Sequence, residues 1–242
     1  MSTMAHAIDL TVKVGFSHFP PWQIAQKGKL IGGVDKHVLD AWTDELSKNH
    51  NIQLTLDYYH CPLKRCLAML ENGMLDIKTG LLRHPEREWY VYYVTPAYQE
   101  YVSKAIYVHK DFPNDIETYE DLKFLTIGVP RAAANFAKFD QDDLIRKVEV
   151  NNTANGLKML EAKRFQAFMG TELVTDYFIS KHKLRGDLKK AVFKHHEANP
   201  GFIGISKKSK LAVHLPQLRT AMKTIVDKGL VKLAVDQVMF SP

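Results

Sequence analysis

"IQLTLDYYHCPLKRCLAMLENGMLDIKTGLL", residues 52–82, reads as a strand, a helix and a second strand in succession. Ile52, Leu54 and Leu56 alternate with polar residues, the period of a strand with one buried face. Pro62 opens the run "PLKRCLAMLENG" and Gly73 closes it, which are the start and stop signals of a helix. "LDIKTGLL" (75–82) then reads as another short strand. Strand, helix and strand in this order form the unit of a parallel sheet with helices on its faces.

The same alternation extends in both directions. "LTVKVGF" (10–16) has apolar residues at every second position, and "VDKHVLDAWTDELSKNH" (34–50) places Val34, Val38, Leu39, Trp42 and Leu46 along one helical face. A second set begins with the strand "VSKAIYVHKD" (102–111) and a short helical turn leading into a strand, "TYEDLKFLTIGV" (118–129). A helix is expected from about Ala132, then the strand "KVEVN", the helix "TANGLKMLEAK", the strand "FQAFM" and the helix "TDYFISKHKL". After "AVFKHHEANPGFIGISKKS" the chain finishes in one amphipathic helix, "QLRTAMKTIVDKGLVKLAVDQVM" (217–239). No internal repeat or low-complexity linker interrupts this order. Two sets of strand–helix units joined by extended crossings predict an α/β protein of two lobes with a cleft between them.

Composition narrows the function. With 242 residues, 45% hydrophobic and 25% charged, the chain is of ordinary globular type. Thirty-three basic against 27 acidic residues leave +6, but the basic pairs, such as Lys189-Lys190 and Lys207-Lys208, are scattered. A nucleic-acid binder concentrates such charge on one element or tail, so that class is set aside. No apolar run approaches the ~20 residues that span a bilayer. "MSTMAHAIDL" has no apolar stretch of an export signal, yet Ala5-His6-Ala7 has the small-x-small form that ends one. We read the first three or four residues as standing in place of a removed signal. The alternative is a cytoplasmic protein whose own start contains that triplet.

"LLRHPEREWYVYYVTPAY" (81–98) places Arg83 and Arg87 immediately before a dense aromatic run. They are either solvated loop charges or an anion clamp at the mouth of the sheet. Cys61 and Cys66 are the two cysteines. Five residues apart within one regular helix they are too distant to bridge, but Pro62 allows Cys61 to precede the helix. A disulfide and two reduced thiols both remain open. A zinc site with His60 finds no matching ligand spacing, and His195-His196 reads as part of a strand or crossing segment.

From about Leu10 to Met239 the chain resembles the type II extracytoplasmic solute-binding proteins of ABC importers, in particular the amino-acid-binding group. The likeness is carried by "VGFSHFPPW", "IGGVDKHVLDAW", "LAMLENGMLDI", "HPEREWYVYYVTPAY", "YEDLKFLTIGV", "GLKMLEAKRFQAF" and "GFIGISKKS", in this order and spacing. It implies a two-lobed periplasmic-binding-protein fold, each lobe a mainly parallel sheet flanked by helices. Residues 8–101 with 200–242 would form one lobe and 102–199 the other, with hinge crossings near 99–103 and 194–200. It also implies a periplasmic monomer that captures a small solute and hands it to a membrane permease, with no cofactor, no metal, no nucleic acid and no insertion into the membrane.

The resemblance gives Arg87 the role of forking onto a ligand carboxylate, which suits a planar, always-charged guanidinium. Phe19 and Trp22 match the aromatic pair that stacks on a ligand side chain, with Trp22 also readable as a cap on the core. Thr79 and Gly80 match the segment that faces the ligand amine. In the second lobe, "GVPRAAANF" supplies Arg131 and Ala132 at an expected helix N-terminus, where free N–H groups suit an anion. The pattern departs from the family at Leu82, where a hydroxyl is usual, and at Thr171, where an Asp is usual, with Glu172 beside it. Lys78, Arg65 and Arg131 would tilt the cleft positive, so a carboxylate or other anionic solute stands beside an ordinary amino acid. A sensor module of a signalling receptor is a second reading. A third is an enzyme similar to the cyclohexadienyl dehydratases, with Glu172 or Glu86 as acid or base. No nucleophile elbow, zinc-protease or P-loop motif is present.

Overall fold

The computed structural model describes residues 7–131, 133 and 135–240. The described part therefore leaves out Ala132, as well as Ala5 and His6 of the leader reading. The chain divides into two compact units, Met1–Glu100 with Asn199–Pro242, and Tyr101–Ala198.

The first unit begins with β1 (Ile8–Phe16), followed by a two-stranded ribbon of β2 (Ile24–Gln26) and β3 (Lys29–Gly32). Helix α1 (Val34–His50), β4 (Ile52–His60), α2 (Leu63–Asn72) and β5 (Ile77–Leu82) complete the expected alternation. β1 runs parallel to β4 in unbroken register from Ile8↔Ile52 to Phe16↔His60, and parallel to β5 through Val14↔Ile77. Strand β6 (Val91–His109) then leads from the first unit into the second.

Burial follows the sequence periodicity. Val12, Val14 and Phe16 of β1 are buried while Thr11 and Lys13 are exposed. Val38, Leu39, Trp42 and Leu46 bury the inner face of α1, and the Trp42 indole N–H donates to Leu218 O at 3.0 Å. A buried indole needs such a partner, and this one ties α1 to the C-terminal helices. Below α2, Cys61, Cys66, Leu70, Leu75, Leu81 and Tyr93 form a second apolar cluster. Cys61 and Cys66 are disulfide-bonded with Cα atoms 5.5 Å apart, Cys61 lying before the helix.

In the second unit, β7 (Thr126–Pro130), α3 (Ala137–Gln141), β8 (Arg146–Val150), α4 (Thr153–Glu161), β9 (Ala167–Thr171) and α5 (Glu172–Lys181) follow in order. β8, β7 and β9 are parallel, and β6 lies antiparallel to β9 from Lys104↔Thr171 to Val108↔Ala167. Both faces of this sheet are covered. Ile106, Val108, Ile127, Ala167 and Met169 join one apolar cluster, while Ala105, Tyr107 and Phe168 join the other. That is why "FQAFM" has no polar alternation. β10 (Leu188–Ser206) returns to the first unit, where it pairs antiparallel with β5.

Three expectations are corrected, and one element is new. The helix expected from about Ala132 begins at Ala137 and has five residues. The C-terminal helix is two, α6 (Leu215–Asp227) and α7 (Leu230–Phe240), separated at Gly229, whose φ of 70° ends α6. The strand expected at 102–111 is the second half of the long β6. The β2–β3 ribbon was not foreseen.

α5 is held to β10 by charge. Lys190 Nζ lies 2.6 Å from Glu172 and 2.7 Å from Asp176, and Lys194 reaches Glu172 at 3.3 Å. Burial raises the Glu172 carboxyl, but its bonds to Lys190 and Lys194 outweigh this and hold it below its ordinary 4.5. A carboxylate so lowered adds stability above its unfolded value and loses it as pH falls through the lowered one. Glu172→Gln should therefore cost about 0.5–1 kcal/mol at neutral pH. Urea denaturation across pH should show the two proteins converging below 4.5.

Gly33, at φ 112°, turns the ribbon into α1, and a Cβ there would lie 2.4 Å from Trp22 O. Gly33→Ala should lower stability by about 2 kcal/mol or more through combined strain and clash, read as a lower denaturant midpoint.

Candidate functional site

Parallel α/β sheets present their loops for binding at the carboxyl ends of the strands. In the first unit β1, β4 and β5 end at Phe16, His60 and Leu82. The segments that follow β1 and β5 contain Phe19, Trp22 and Arg87, and Thr79 and Gly80 lie within β5 itself.

After β5 the chain makes a 3-10 turn over Pro85–Arg87, with Arg87 N donating to His84 O at 2.9 Å and Glu88 N to Pro85 O at 3.1 Å. This turn separates the two arginines. Arg83 is exposed, its Nε 2.7 Å from Glu88 Oε1 and its guanidinium 5.6 Å from the Tyr93 ring centroid. Arg87 is half-buried and bends back so that Nη1 donates to Leu82 O at 3.0 Å. Tyr93 OH donates to the same carbonyl at 3.3 Å. Arg87 is thus fixed to the last residue of β5. That bond uses one of five guanidinium N–H donors.

Thr79 and Gly80, inside β5, stand differently from expectation. Thr79 is 2% exposed, and its hydroxyl donates to Asp35 Oδ2 at 2.7 Å and accepts from Gln23 Nε2 at 2.8 Å. A hydroxyl occupied on both sides is a structural tie. Gly80 is exposed, in the left-handed region at φ 66°. Lys78, expected to add positive charge to the site, is 4% exposed and donates to Thr79 O at 3.0 Å. Burial pushes its ammonium below its ordinary pKa, with Asp35 pulling the other way.

The loop after β1 carries Phe19 and Trp22. Phe19 and Gln23 exchange backbone bonds, Phe19 N to Gln23 O at 2.8 Å and Gln23 N to Phe19 O at 2.9 Å, which leaves the Phe19 ring 57% exposed. Trp22 is half-buried with its ring 6.4 Å from Tyr98, so part of it caps the core. Arg65 is exposed on α2. The arrangement brings Phe19, Trp22, Gly80 and Arg87 onto segments that meet through β1 and β5.

Three residues escaped sequence reasoning. Asp35, Gln23 and Tyr98 form with Thr79 a buried network, and Tyr98 OH donates to Asp35 Oδ1 at 2.8 Å. Burial, then the Asp35 charge, raises the Tyr98 phenol well above its ordinary value. One signal was available: Asp35 lies three, four and seven residues before Val38, Leu39 and Trp42, hence on the apolar face of α1.

In the second unit, Arg131 follows β7, 64% exposed and 3.3 Å from Glu149. Among the described residues the next helix begins only at Ala137. Residues 135 and 136 are non-helical, and Asn135 N donates to Asp140 instead, so the expected anion site at a helix N-terminus is withdrawn. Ala132 lies outside the described residues. Thr171 ends β9, its hydroxyl accepting from Lys104 Nζ at 3.1 Å, and Glu172 turns toward Lys190 and Lys194. The acid–base candidate Glu172 is therefore ion-paired, while Glu86 is exposed on the 3-10 turn. His195 stacks on Phe136 at 3.9 Å, and His196 Nδ1 lies 2.8 Å from Ser103 Oγ. Among the described residues no three His, Cys, Asp or Glu side chains gather as a metal site, and no helix is long and apolar enough to cross a membrane.

No family model matches the chain, and no curated protein sequence does. Solved structures do. The second substrate-binding domain of GlnP from Lactococcus lactis, in its open conformation, is 16% identical; the match covers 96% of each chain with a TM-score of 0.74. The unliganded L-cystine solute receptor of Neisseria gonorrhoeae is 21% identical over 95% of this chain and 92% of that one, with a TM-score of 0.71. A histidine kinase sensor domain with similarity to periplasmic binding proteins is 15% identical over 95% and 96%, with a TM-score of 0.61. At such identities the likeness is one of fold. The chain has the α/β fold of the periplasmic-binding-protein type that these substrate-binding domains and receptors share.

Proposed function

We propose that this protein works outside the cytoplasm, capturing a small carboxylate-bearing solute, an amino acid or a related anionic molecule, for delivery to an ABC importer. The observation that carries the reading is Arg87. It is half-buried, fixed to Leu82 O, and placed just past the carboxyl end of a parallel strand. A guanidinium so anchored is pre-organised and keeps donors for a carboxylate. Phe19 offers an exposed ring on a braced loop for the rest of the solute. Solute-binding domains among the structural neighbours support the transport side. A second reading, ligand sensing for a signalling receptor, is favoured by the histidine kinase sensor domain among those neighbours. Both readings use the same capture step.

Native mass spectrometry of protein purified without added solute should reveal a retained small anion or zwitterion. Calorimetry with that compound tests the residue. Removing one partner of a desolvated charge pair costs roughly 2–5 kcal/mol, about 30-fold or more in dissociation constant. Arg87→Ala should lose binding on that scale with little change in the melting temperature of the empty protein. Arg83→Ala, which removes an exposed pair with Glu88, should change affinity less than about threefold. Wild-type affinity in Arg87→Ala would make both arginines loop charges and remove the basis of the reading.

A further inference from the structure

The geometry points to Asp35 as the positioning residue of this site, a buried acceptor that presets the loop presenting Phe19 and Trp22. The significance of that role rests on the solute-binding reading; the geometry does not.

Asp35 is 2% exposed and Gln23 4% exposed. Asp35 Oδ2 accepts from Gln23 Nε2 at 2.6 Å and from Thr79 Oγ1 at 2.7 Å, while Oδ1 accepts from Tyr98 OH at 2.8 Å. These donors come from the loop after β1, from β5, and from β6. Gln23 carries the linkage into the loop, because its Oε1 accepts from Ser17 N at 2.8 Å. The backbone adds Val34 N to Pro21 O at 3.0 Å and Asp35 N to Trp22 O at 2.9 Å. A loop with an aromatic ring 57% exposed is thus held at both ends through the Gln23 side chain, which the Asp35 carboxylate binds, and in between by backbone bonds from Val34 and Asp35. Moving the loop would strand buried donors, which is costly. An exposed aromatic on so constrained a loop is an arrangement for presenting a surface, since packing gives no reason to fix an exposed ring.

Asparagine can keep the geometry. Its carbonyl oxygen can accept from Gln23 and Thr79, and its amide can donate to the phenol oxygen, so Asp35→Asn loses the charge and keeps the ties. Amide hydrogen exchange on solute-free protein reads this out. Asp35→Ala should speed exchange at Phe19 and Gln23 by roughly tenfold or more, while the β7–β9 amides hold wild-type rates. Asp35→Asn should return the loop amides to within about threefold of wild type. If Asp35→Ala does not fold, Gln23→Met removes the link into the loop and one donor each to Asp35 and Thr79, while leaving the Asp35 bonds from Thr79 and Tyr98 in place. It should loosen the Phe19 amide while shifting the melting temperature by no more than a few degrees. Unchanged Phe19 exchange in either loosening variant, equal acceleration at all amides of the first unit, or no rescue by Asn would each overturn the assignment. The measurement needs no solute, so it stands or falls apart from the Arg87 experiment.

Discussion

A carboxylate 2% exposed to solvent is tolerable only with hydrogen-bond donors on both oxygens, and at Asp35 that requirement joins three segments far apart in sequence. Gln23, Thr79 and Tyr98 have few other places to go. Each is itself buried, so each would lose a buried acceptor if Asp35 were elsewhere. The position of Asp35 depends in turn on Gly33. A residue with a side chain could make the turn at φ 112° only with strain and by displacing Trp22 O, and the start of α1 depends on that turn. The order of dependence therefore runs from a backbone that only glycine adopts easily, to a buried charge, to the loop and strand that carry the candidate site.

The second unit solves a different problem. Its sheet is apolar on both faces, so side chains alternate between two clusters and register comes from packing. Its charges are gathered where α5 meets β10. There Tyr107 OH donates to Asp176 at 2.7 Å, and Lys190 bridges Asp176 and Glu172. Burial, then the Asp176 charge, pushes the Tyr107 phenol upward. The charged members of this network are partly solvated, while Tyr107 is buried. The network locks a helix to a strand, whereas the Asp35 network sets the form of a loop.

The elements legible in the sequence were those whose signal is local and repeated. Helix α1 announced itself through Val34, Val38, Leu39, Trp42 and Leu46, and β1 through strict alternation. The ribbon of β2 and β3 was missed because its strands have three and four residues, too short for a period to show. Its signal was the turn at Lys27-Gly28, both at positive φ, as in the two-residue turns of hairpins. The C-terminal pair was read as one helix because apolar spacing continues across the break, and the stop at Gly229 was outweighed. The short α3 was misplaced for a related reason. "RAAANF" has good intrinsic helix formers, but Asn135 closes onto Asp140 through its backbone and its side chain, and the helix starts only after it, at Ala137.

The candidate site was legible by residue type but not by orientation. Arg83 and Arg87 carry the same chemistry four residues apart, and no composition or spacing rule distinguishes them. What does is a single 3-10 turn, which points one guanidinium at Glu88 in solvent and the other at Leu82 O. Thr79 and Lys78 show the same limit inside a strand. Both lie among the polar residues of "DIKTGLL", where a hydroxyl and an ammonium read as available to a solute. Both prove to be buried, the hydroxyl taken by Asp35 and Gln23 and the ammonium turned onto Thr79 O. Their partners lie as far as 56 residues away along the chain, beyond any window in which periodicity speaks. Polar character in a sequence thus identifies a group that must be satisfied. Whether water, a solute or another part of the protein satisfies it is decided by long-range pairing, and here Asp35 resolves that choice for Thr79, Gln23 and Tyr98 together.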